Sequence, residues 1–193
     1  MKSADNSTNK EMLEIVNESD ELIGLEERKK IHQQGLLHRE THVWFFTPKG
    51  EIIFQHRAKD KETYPDLLDA TVGGHVEPGD SYLATAIKEA KEETGVTINP
   101  ADLIVITKLR ISSFDEATKL RNNIFNTQFA YCYKGKIEDL KIEQGQGLGF
   151  EAWPIDALFS LSEQDEKRFI SRIISSPDFL EVFKKIRELA LSV

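Results

Sequence analysis

The stretch that decides the fold runs Gly74-His75-Val76-Glu77-Pro78-Gly79-Asp80-Ser81-Tyr82-Leu83-Ala84-Thr85-Ala86-Ile87-Lys88-Glu89-Ala90-Lys91-Glu92-Glu93-Thr94-Gly95-Val96. Its second half predicts a helix that Ser81 can cap and that Gly95 can end. On a helix, Glu89, Glu92 and Glu93 stand at positions i, i+3 and i+4, so their carboxylates gather on one face. Like charges repel one another, and a hard divalent cation that prefers oxygen ligands would compensate that repulsion.

An ordinary solvated helix is the alternative interpretation of this acidic run, because Glu is a common helix former and charge runs usually face water. The preceding loop favours a metal site, since the Gly73-Gly74 pair allows backbone carbonyls to approach the ion that the carboxylates hold. Leu83, Ile87 and Ala90 form a neighbouring apolar stripe that we expect to dock the helix onto a sheet.

The same stretch resembles the Nudix box, a pattern of glycine, glutamate, arginine and aliphatic positions at fixed spacing. Six residues match the pattern over its full length, namely Gly74, Glu89, Glu92, Glu93, Gly95 and Val96. Three residues depart from it. Asp80 stands for the first glutamate, Lys88 for the arginine, and Ala90 for a larger aliphatic residue. Lysine keeps the charge of arginine but lacks the planar fork that clamps a carboxylate at two points.

The resemblance implies an α+β fold, a Nudix-type α/β/α sandwich with a mixed β-sheet. It implies an enzyme that cleaves a diphosphate linkage with Mg²⁺, for which Mn²⁺ is an alternative. The metal ligands would be Glu89, Glu92, Glu93 and the Gly73 carbonyl. Glu89 is also a candidate general base, oriented by Lys88. In some relatives the base lies on a later loop, which leaves three further candidates: Glu138, Glu143 and Glu151.

The flanking sequence resembles the Nudix branch related to isopentenyl diphosphate isomerase. The similarity lies in three segments: 37–44, Tyr64-Pro65 and Asp69-Ala70-Thr71. The isomerases carry a reactive cysteine just before the Gly-His of the loop, where this chain has Gly73. They also use glutamates from a later strand, and the segment 121–126 contains none. We therefore favour a hydrolase. The isomerase and a Nudix module that binds ligand without turnover remain the alternatives.

Other polar and aromatic residues carry weaker predictions. Arg57 and Lys59 are candidates for contacts to phosphate oxygens, with solvated salt bridges as an equal alternative. His75 matches a histidine that binds metal in the isomerases, although a structural hydrogen bond is the more frequent role for a loop histidine. For His38 and His42 we favour ordinary polar positions near the start of a strand. We expect the aromatic run 44–46 to fill the core rather than to stack on a nucleobase.

Length and composition narrow the class of protein. The 193 residues suit one domain. The formal charge of −8 disfavours an extended nucleic-acid surface, which leaves a small-molecule diphosphate as the expected partner. One cysteine, Cys132, cannot form an internal disulfide, and the polar start lacks the apolar core of a signal peptide, so we expect a cytoplasmic location. No apolar run is long enough to span a bilayer.

Along the chain, residues 1–10 read as a disordered leader and residues 11–193 as a single Nudix domain. Apolar runs on both sides of the turn-like segment 17–20 predict an N-terminal hairpin, and segments 43–46 and 52–54 predict a second one. Residues 26–33 are helix-prone. Segments 103–111, 124–133 and 148–153 predict strands, and the C-terminal third predicts helices, the first of them near 154–161. The hairpin and the C-terminal helices are candidate contact surfaces of a homodimer.

Overall fold

The computed structural model describes residues 11–116, 118–143, 145 and 147–193. The predicted leader, residues 1–10, lies outside that part of the chain. The first element is the predicted N-terminal hairpin, in which β1 (Met12–Val16) and β2 (Leu22–Glu27) pair antiparallel as a separate two-stranded sheet. The Asn17 side chain closes the turn by accepting hydrogen bonds from the amides of Ser19 and Glu21. Strand β2 exposes Leu22, Ile23 and Leu25, but a homodimer through this surface stays a prediction.

A mixed sheet of seven strands forms the centre of the molecule. Its members are β3 (His38–Phe46), β4 (Glu51–Arg57), β5 (Leu68–Asp69), β6 (Val72–His75), β7 (Leu103–Phe114), β8 (Arg121–Cys132) and β9 (Gly147–Pro154). The order is β5-β4-β3-β8-β7, with β6 paired to β3 and β9 to β4. Strands β3 and β8 run parallel, and the remaining pairs are antiparallel.

Strand β3 is shared by two partners. Its residues Glu40–Val43 pair with β6, whereas Phe45 and Phe46 pair with β4. The sheet therefore divides beside β3. Gly73 and Gly74 were expected to form a loop, but they lie within strand β6 and pair with the first half of β3. This division brings β6 next to the side chains of Glu40 and His42, which oppose His75 and Gly73 in the register.

Alternation along β3 sends successive side chains to opposite faces of the sheet. Trp44 and Phe46 enter one core with residues of the C-terminal helices, while Val43 and Phe45 enter a second core on the other face. All four side chains are fully buried, which agrees with the expected core role of the aromatic run. The predicted α/β/α sandwich with a mixed sheet is confirmed, because helices cover both faces.

The helix of the quoted stretch, α2, spans Tyr82–Thr94 with the predicted caps: the Ser81 hydroxyl accepts from the Ala84 amide, and Gly95 takes φ 73°. The predicted apolar stripe was partly wrong. Leu83 is 37% exposed, and Ala86, with Ala90, fills the buried line instead. Ile87 is partly buried against the same core, so Leu83 is the member of the predicted stripe that lies outside it.

The remaining helices follow the predictions with shifted bounds. Helix α1 (Arg28–Gln34) starts late because β2 extends to Glu27. The segment expected to be helical near 154–161 is a 3₁₀ helix at Ile155–Phe159. The chain then forms α3 (Glu163–Glu166), α4 (Ser171–Ser175) and α5 (Pro177–Leu191). None of the helices in the described ranges is long and apolar enough to cross a membrane.

Candidate functional site

The site forms where helix α2 faces the Gly73-Gly74 segment of strand β6. A Cβ atom on Gly74 would lie 2.6 Å from Cγ and Cδ of Glu89, which is closer than real Cβ atoms approach. Glycine is therefore required at this position for the Glu89 carboxylate to lie against the backbone of β6. The expected approach of backbone carbonyls of the glycine pair to a metal ion stays a prediction.

Glu93 is the most deeply placed carboxylate of the helix, with only 7% of its surface exposed. Its Oε2 lies 3.4 Å from the Gly73 amide nitrogen and 3.5 Å from Nε2 of Gln55, both of which donate to it. These contacts are long for hydrogen bonds to a carboxylate. The oxygen thus has weak protein donors and a large cost of burial.

Burial raises the pKa of both inner carboxylates. The pKa of Glu93 rises to about 8, first through burial and then through repulsion from Glu89. The pKa of Glu89 rises to about 7 through burial and the neighbouring Glu92. A bound cation would favour the ionised form of two neighbouring carboxyl groups whose pKa values are raised in this way.

Glu92 and Lys88 lie farther out on the helix than Glu89 and Glu93. Glu92 is exposed on the same side of α2. Lys88 was expected to orient Glu89, but its Nζ donates to Glu77 at 2.5 Å. Its charge nevertheless acts on Glu89, whose pKa it lowers. That Lys88 orients Glu89 stays a prediction.

A cavity of about 1030 Å³ opens from the Gly73-Gly74 segment of β6 across the divided sheet. Glu93 and His75 line it on one side. Residues of α1, the segment after β4, strands β7 and β8, and α4 line the remainder, including Arg28, Lys61, Ser113, Asn122 and Arg172. Its size is that of a site for a small organic molecule.

The two predicted phosphate-binding cations differ in placement. Arg57 lines the cavity, but its guanidinium donates to the Asp69 carboxylate and to the carbonyls of Thr63 and Tyr64, so it supports the loop after β4. Lys59 is 73% exposed at its side chain, lies 3.8 Å from Asp66 and is absent from the described lining of the cavity. For Lys59 the solvated salt bridge describes the placement better than a contact to substrate.

Three histidines meet beside the Gly73-Gly74 segment. The ligand-type nitrogens of His32, His38 and His75 lie within 4.8 Å of one another, and Glu40 Oε1 is 3.2 Å from Nε2 of His75. Nε2 of His38 is buried without a hydrogen-bond partner, which is unusual for a polar atom. Burial lowers the pKa of His38 and brings that of His75 to about 3, so neutral imidazoles predominate near pH 7. Neutral imidazoles can bind a metal ion.

Sequence reasoning missed His32 and Glu40 in this cluster and favoured an ordinary polar role for His38. Glu40 stands two residues after His38 on β3, so the strand period already placed both on one face. His32 lies on α1, and nothing in the sequence indicated that the helix would turn it towards His75. His42 is a separate case: it packs against Gly73 and lines the cavity without joining the cluster.

The three alternative candidates for the general base, Glu138, Glu143 and Glu151, have different surroundings in the fold. Glu151 on β9 is bonded through both oxygens to Arg168, and Glu138 lies in a 3₁₀ helix, Ile137–Asp139. Glu143 is electrostatically coupled to both inner carboxylates, since it raises the pKa of Glu89 and of Glu93. Of the three, Glu143 is the residue whose charge acts on the acidic site.

The fold and the acidic site define an enzyme of the Nudix class, a pyrophosphohydrolase. The chain belongs to the NUDIX domain family, whose model matches residues 36–173. It is 28% identical to the Nudix hydrolase CA_C0446 of Clostridium acetobutylicum over 191 residues, covering 88% of this chain and 90% of the relative.

Solved structures share the fold. The structure of DR0079 from Deinococcus radiodurans matches with a TM-score of 0.62 and 22% identity, covering 91% of this chain and 98% of that one. The NUDIX domain of Shewanella oneidensis NrtR, complexed with ADP ribose, matches with a TM-score of 0.54 and 13% identity, covering 79% and 86% of the two chains. At these identities the likeness is one of fold.

Proposed function

We propose that this protein is a Mg²⁺-dependent hydrolase that cleaves the diphosphate linkage of a nucleoside diphosphate derivative or another small organic diphosphate. The observation that carries the proposal is the pair of carboxylates held against the Gly73-Gly74 backbone, the half-buried Glu89 and the buried Glu93. Oxygen donors of this kind suit Mg²⁺, with Mn²⁺ as an alternative ion. In this proposal the ligands are Glu89, Glu92, Glu93 and the Gly73 carbonyl.

The bound cation would neutralise phosphoryl oxygens and promote attack by water. The protein's own contribution is positional. Gly74 lets the Glu89 carboxylate reach β6, and Glu93 is held between Gly73 and Gln55. In hydrolysis a water oxygen bonds to phosphorus, the bridging P–O bond breaks, and the water proton passes to a base. We propose Glu89 as that base, with Glu143 as the alternative.

The direct test is phosphate or nucleotide release from a panel of diphosphates, with and without Mg²⁺. ADP-ribose is a suitable first member, because a domain of the same fold binds it. We expect release that depends on Mg²⁺ and that Glu89→Gln abolishes, whereas Glu188→Gln, at an exposed glutamate of α5, should leave release unchanged. Saturable binding of panel members without release would instead support the ligand-binding module.

The isomerase is the second candidate, and the histidine cluster beside the Gly73-Gly74 segment is the observation that favours it. The position of the single thiol argues against the isomerase. Cys132 pairs with Phe46 in the register, six positions along β8 from Asn126, which pairs with Glu40. At about 3.3 Å per residue, the thiol lies roughly 20 Å along the strand from the site. A proton shift across an allylic system needs acid-base groups at the substrate.

We therefore expect no conversion of isopentenyl diphosphate to its dimethylallyl isomer. Hydrolysis should also survive Cys132→Ser, because no thiol enters the attack of water on phosphorus. Wild type and Cys132→Ser can be compared with isopentenyl diphosphate and with the diphosphate panel. Metal-dependent isomerisation that Cys132→Ser loses would overturn the assignment as a hydrolase.

A further inference from the structure

Three half-buried cations line the cavity, and two of them are engaged by the protein. Arg57 forms an ion pair with Asp69 at 3.0 Å and donates to two backbone carbonyls. Lys61 is the second engaged cation, because it too interacts with other residues of the protein. The third cation is Arg172 on α4, and no carboxylate of the described chain lies within 4 Å of its guanidinium. A cation that is half-buried without an anionic partner calls for an explanation.

The Arg172 guanidinium has few contacts. Nη1 donates to the Ser113 hydroxyl at 3.1 Å, and Cζ lies 6.0 Å from the centre of the Phe179 ring. Nε is buried and has no hydrogen-bond partner among the described residues. A guanidinium offers five N–H donors, so most of the hydrogen-bonding capacity of Arg172 is unused by the protein.

Arg172 stands on a rigid support. The chain before it is pinned to β5, since the Ile170 amide donates to the Leu68 carbonyl at 3.0 Å and the Leu68 amide donates to the Arg168 carbonyl at 2.7 Å. Ser113 on β7 and Phe179 on α5 hold the side chain from two other elements. A preorganised arginine loses less freedom when it binds an anion than a mobile surface lysine does.

A purely structural role as counterion to Glu40 is the competing explanation. Arg172 does act electrostatically on Glu40 and on His42. However, Glu40 already accepts from the side-chain amides of Asn122 at 3.2 Å and Asn126 at 3.4 Å, and it lies beside His75. Arg172 is not required to satisfy that carboxylate. Its charge therefore remains available to a molecule in the cavity.

We propose that Arg172 binds a phosphoryl group of the substrate that is separate from the one held at the acidic helix. This inference rests on the proposed function, because it concerns the substrate of the same cavity. The cavity extends from Glu93 and the Gly73-Gly74 segment to α4, so one molecule can touch both ends. Arginine is suited to this task because its planar fork donates two parallel hydrogen bonds to phosphate oxygens. Arg172 is then a determinant of specificity supplied from outside the quoted helix.

The test measures binding without turnover, using the non-hydrolysable adenosine 5′-(α,β-methylene)diphosphate and calorimetric titration in Mg²⁺. We expect Arg172→Gln to weaken the affinity by about 10- to 100-fold, the usual range for a lost hydrogen bond to a charged group. Arg172→Lys should fall between wild type and Arg172→Gln, because it keeps the charge and loses the fork. Arg187→Gln is the matched control, since Arg187 is on α5, pairs with Asp156 and lies outside the described lining.

Thermal unfolding of each variant establishes that it is folded. If Arg172→Gln does not fold, Arg172→Met replaces it, because the longer apolar side chain keeps the packing against Phe179. Equal affinity of the folded neutral variant and wild type would overturn the inference, as would the lack of saturable binding by wild type at millimolar probe. Binding that depends on Arg172 without hydrolysis of any panel member would refute the proposed function and leave the inference intact. If the neutral variant hydrolyses the substrate with the kcat/KM of wild type, the inference about Arg172 is refuted and the proposed function stands.

Discussion

At the scale of single residues, the site depends on carboxylates that are costly to bury and on glycines that let them come close. Glu93 combines 7% exposure with weak donors, and Glu89 lies in contact with β6. Each feature would destabilise a protein that had no ion to bind, because burial of an unpaired charge is unfavourable. A trade of stability for function is therefore expected at these positions.

Replacement of Glu93 by glutamine should separate stability from activity. Glu93→Gln keeps the shape of the side chain and removes the cost of ionisation, so we expect a higher Tm than wild type at pH 8 without Mg²⁺. Hydrolysis should fall by about 100-fold or more, since metal ions supply several kcal/mol of transition-state stabilisation. Chemical or thermal unfolding and the release assay measure the two effects. A variant with wild-type turnover at limiting Mg²⁺ would contradict the role of Glu93.

A methyl group at Gly74 should displace the Glu89 carboxylate. Gly74→Ala places a Cβ atom 2.6 Å from Glu89, so the side chain must move away from β6. We expect a loss of hydrolysis larger than any loss of stability, because a misplacement of about 1 Å can cost about 100-fold in rate. Gly24→Ala is the control, since a Cβ there has no atom within 4 Å. Equal activity of the two alanine variants would argue against a close approach that matters for catalysis.

At the scale of elements, α2 performs two tasks with two sides of one helix. Ala86 and Ala90 pack on the sheet, and the glutamates face β6. The helix needs a defined start for both sets to face correctly, and Ser81 provides it. The site is thus an alignment between one helix and one strand end, which a small rotation of α2 would disturb.

Removal of the Ser81 cap should weaken this alignment measurably. Ser81→Ala leaves the Ala84 amide without its acceptor, and we expect a loss of about 1 kcal/mol in the free energy of unfolding. Ser81→Gly should lose only a few tenths, because glycine is tolerated at this position. The comparable change at the short helix α3, Ser162→Ala, should leave hydrolysis unchanged. Denaturant titration distinguishes these variants, and equal stability of Ser81→Ala and wild type would contradict the cap's contribution.

At the scale of the whole molecule, we expect the acidic site to make stability depend on pH and on metal together. The folded-state pKa values of Glu89 and Glu93, about 7 and about 8, lie above the usual value for glutamate. The folded protein therefore holds protons that the unfolded chain releases. Their stabilising contribution is complete below the unfolded pKa and is lost as the pH rises through the folded values.

We accordingly expect the Tm of metal-free protein to fall between about pH 5 and pH 8 relative to Glu89→Gln/Glu93→Gln, in which these groups no longer titrate. Mg²⁺ should raise the wild-type Tm more at pH 8 than at pH 5, because the ion binds the ionised form of the folded state. The double variant should show little response. Differential scanning calorimetry at several pH values makes the measurement, and a Tm shift by Mg²⁺ that is equal at both pH values would refute the coupling.

The order of local elements was largely determined by sequence. The glycine pair, the Ser81 cap, the i, i+3, i+4 glutamates and Gly95 predicted helix α2 with its bounds, because caps and helical periodicity act over a few neighbouring residues. The two hairpins followed from turn residues between apolar runs. The Nudix family could be inferred from this same local pattern, because the residues that define the pattern stand at fixed spacing within one short segment.

Only the tertiary structure decided which distant residues meet. The pairing of β3 with both β6 and β4 brings Glu40 to His75, α1 adds His32, and α4 brings Arg172 into the same cavity. It also directed Lys88 to Glu77 and engaged Arg57 with Asp69. Such contacts depend on strand pairing and helix packing between segments far apart in the chain, for which a single sequence contains no periodic signal.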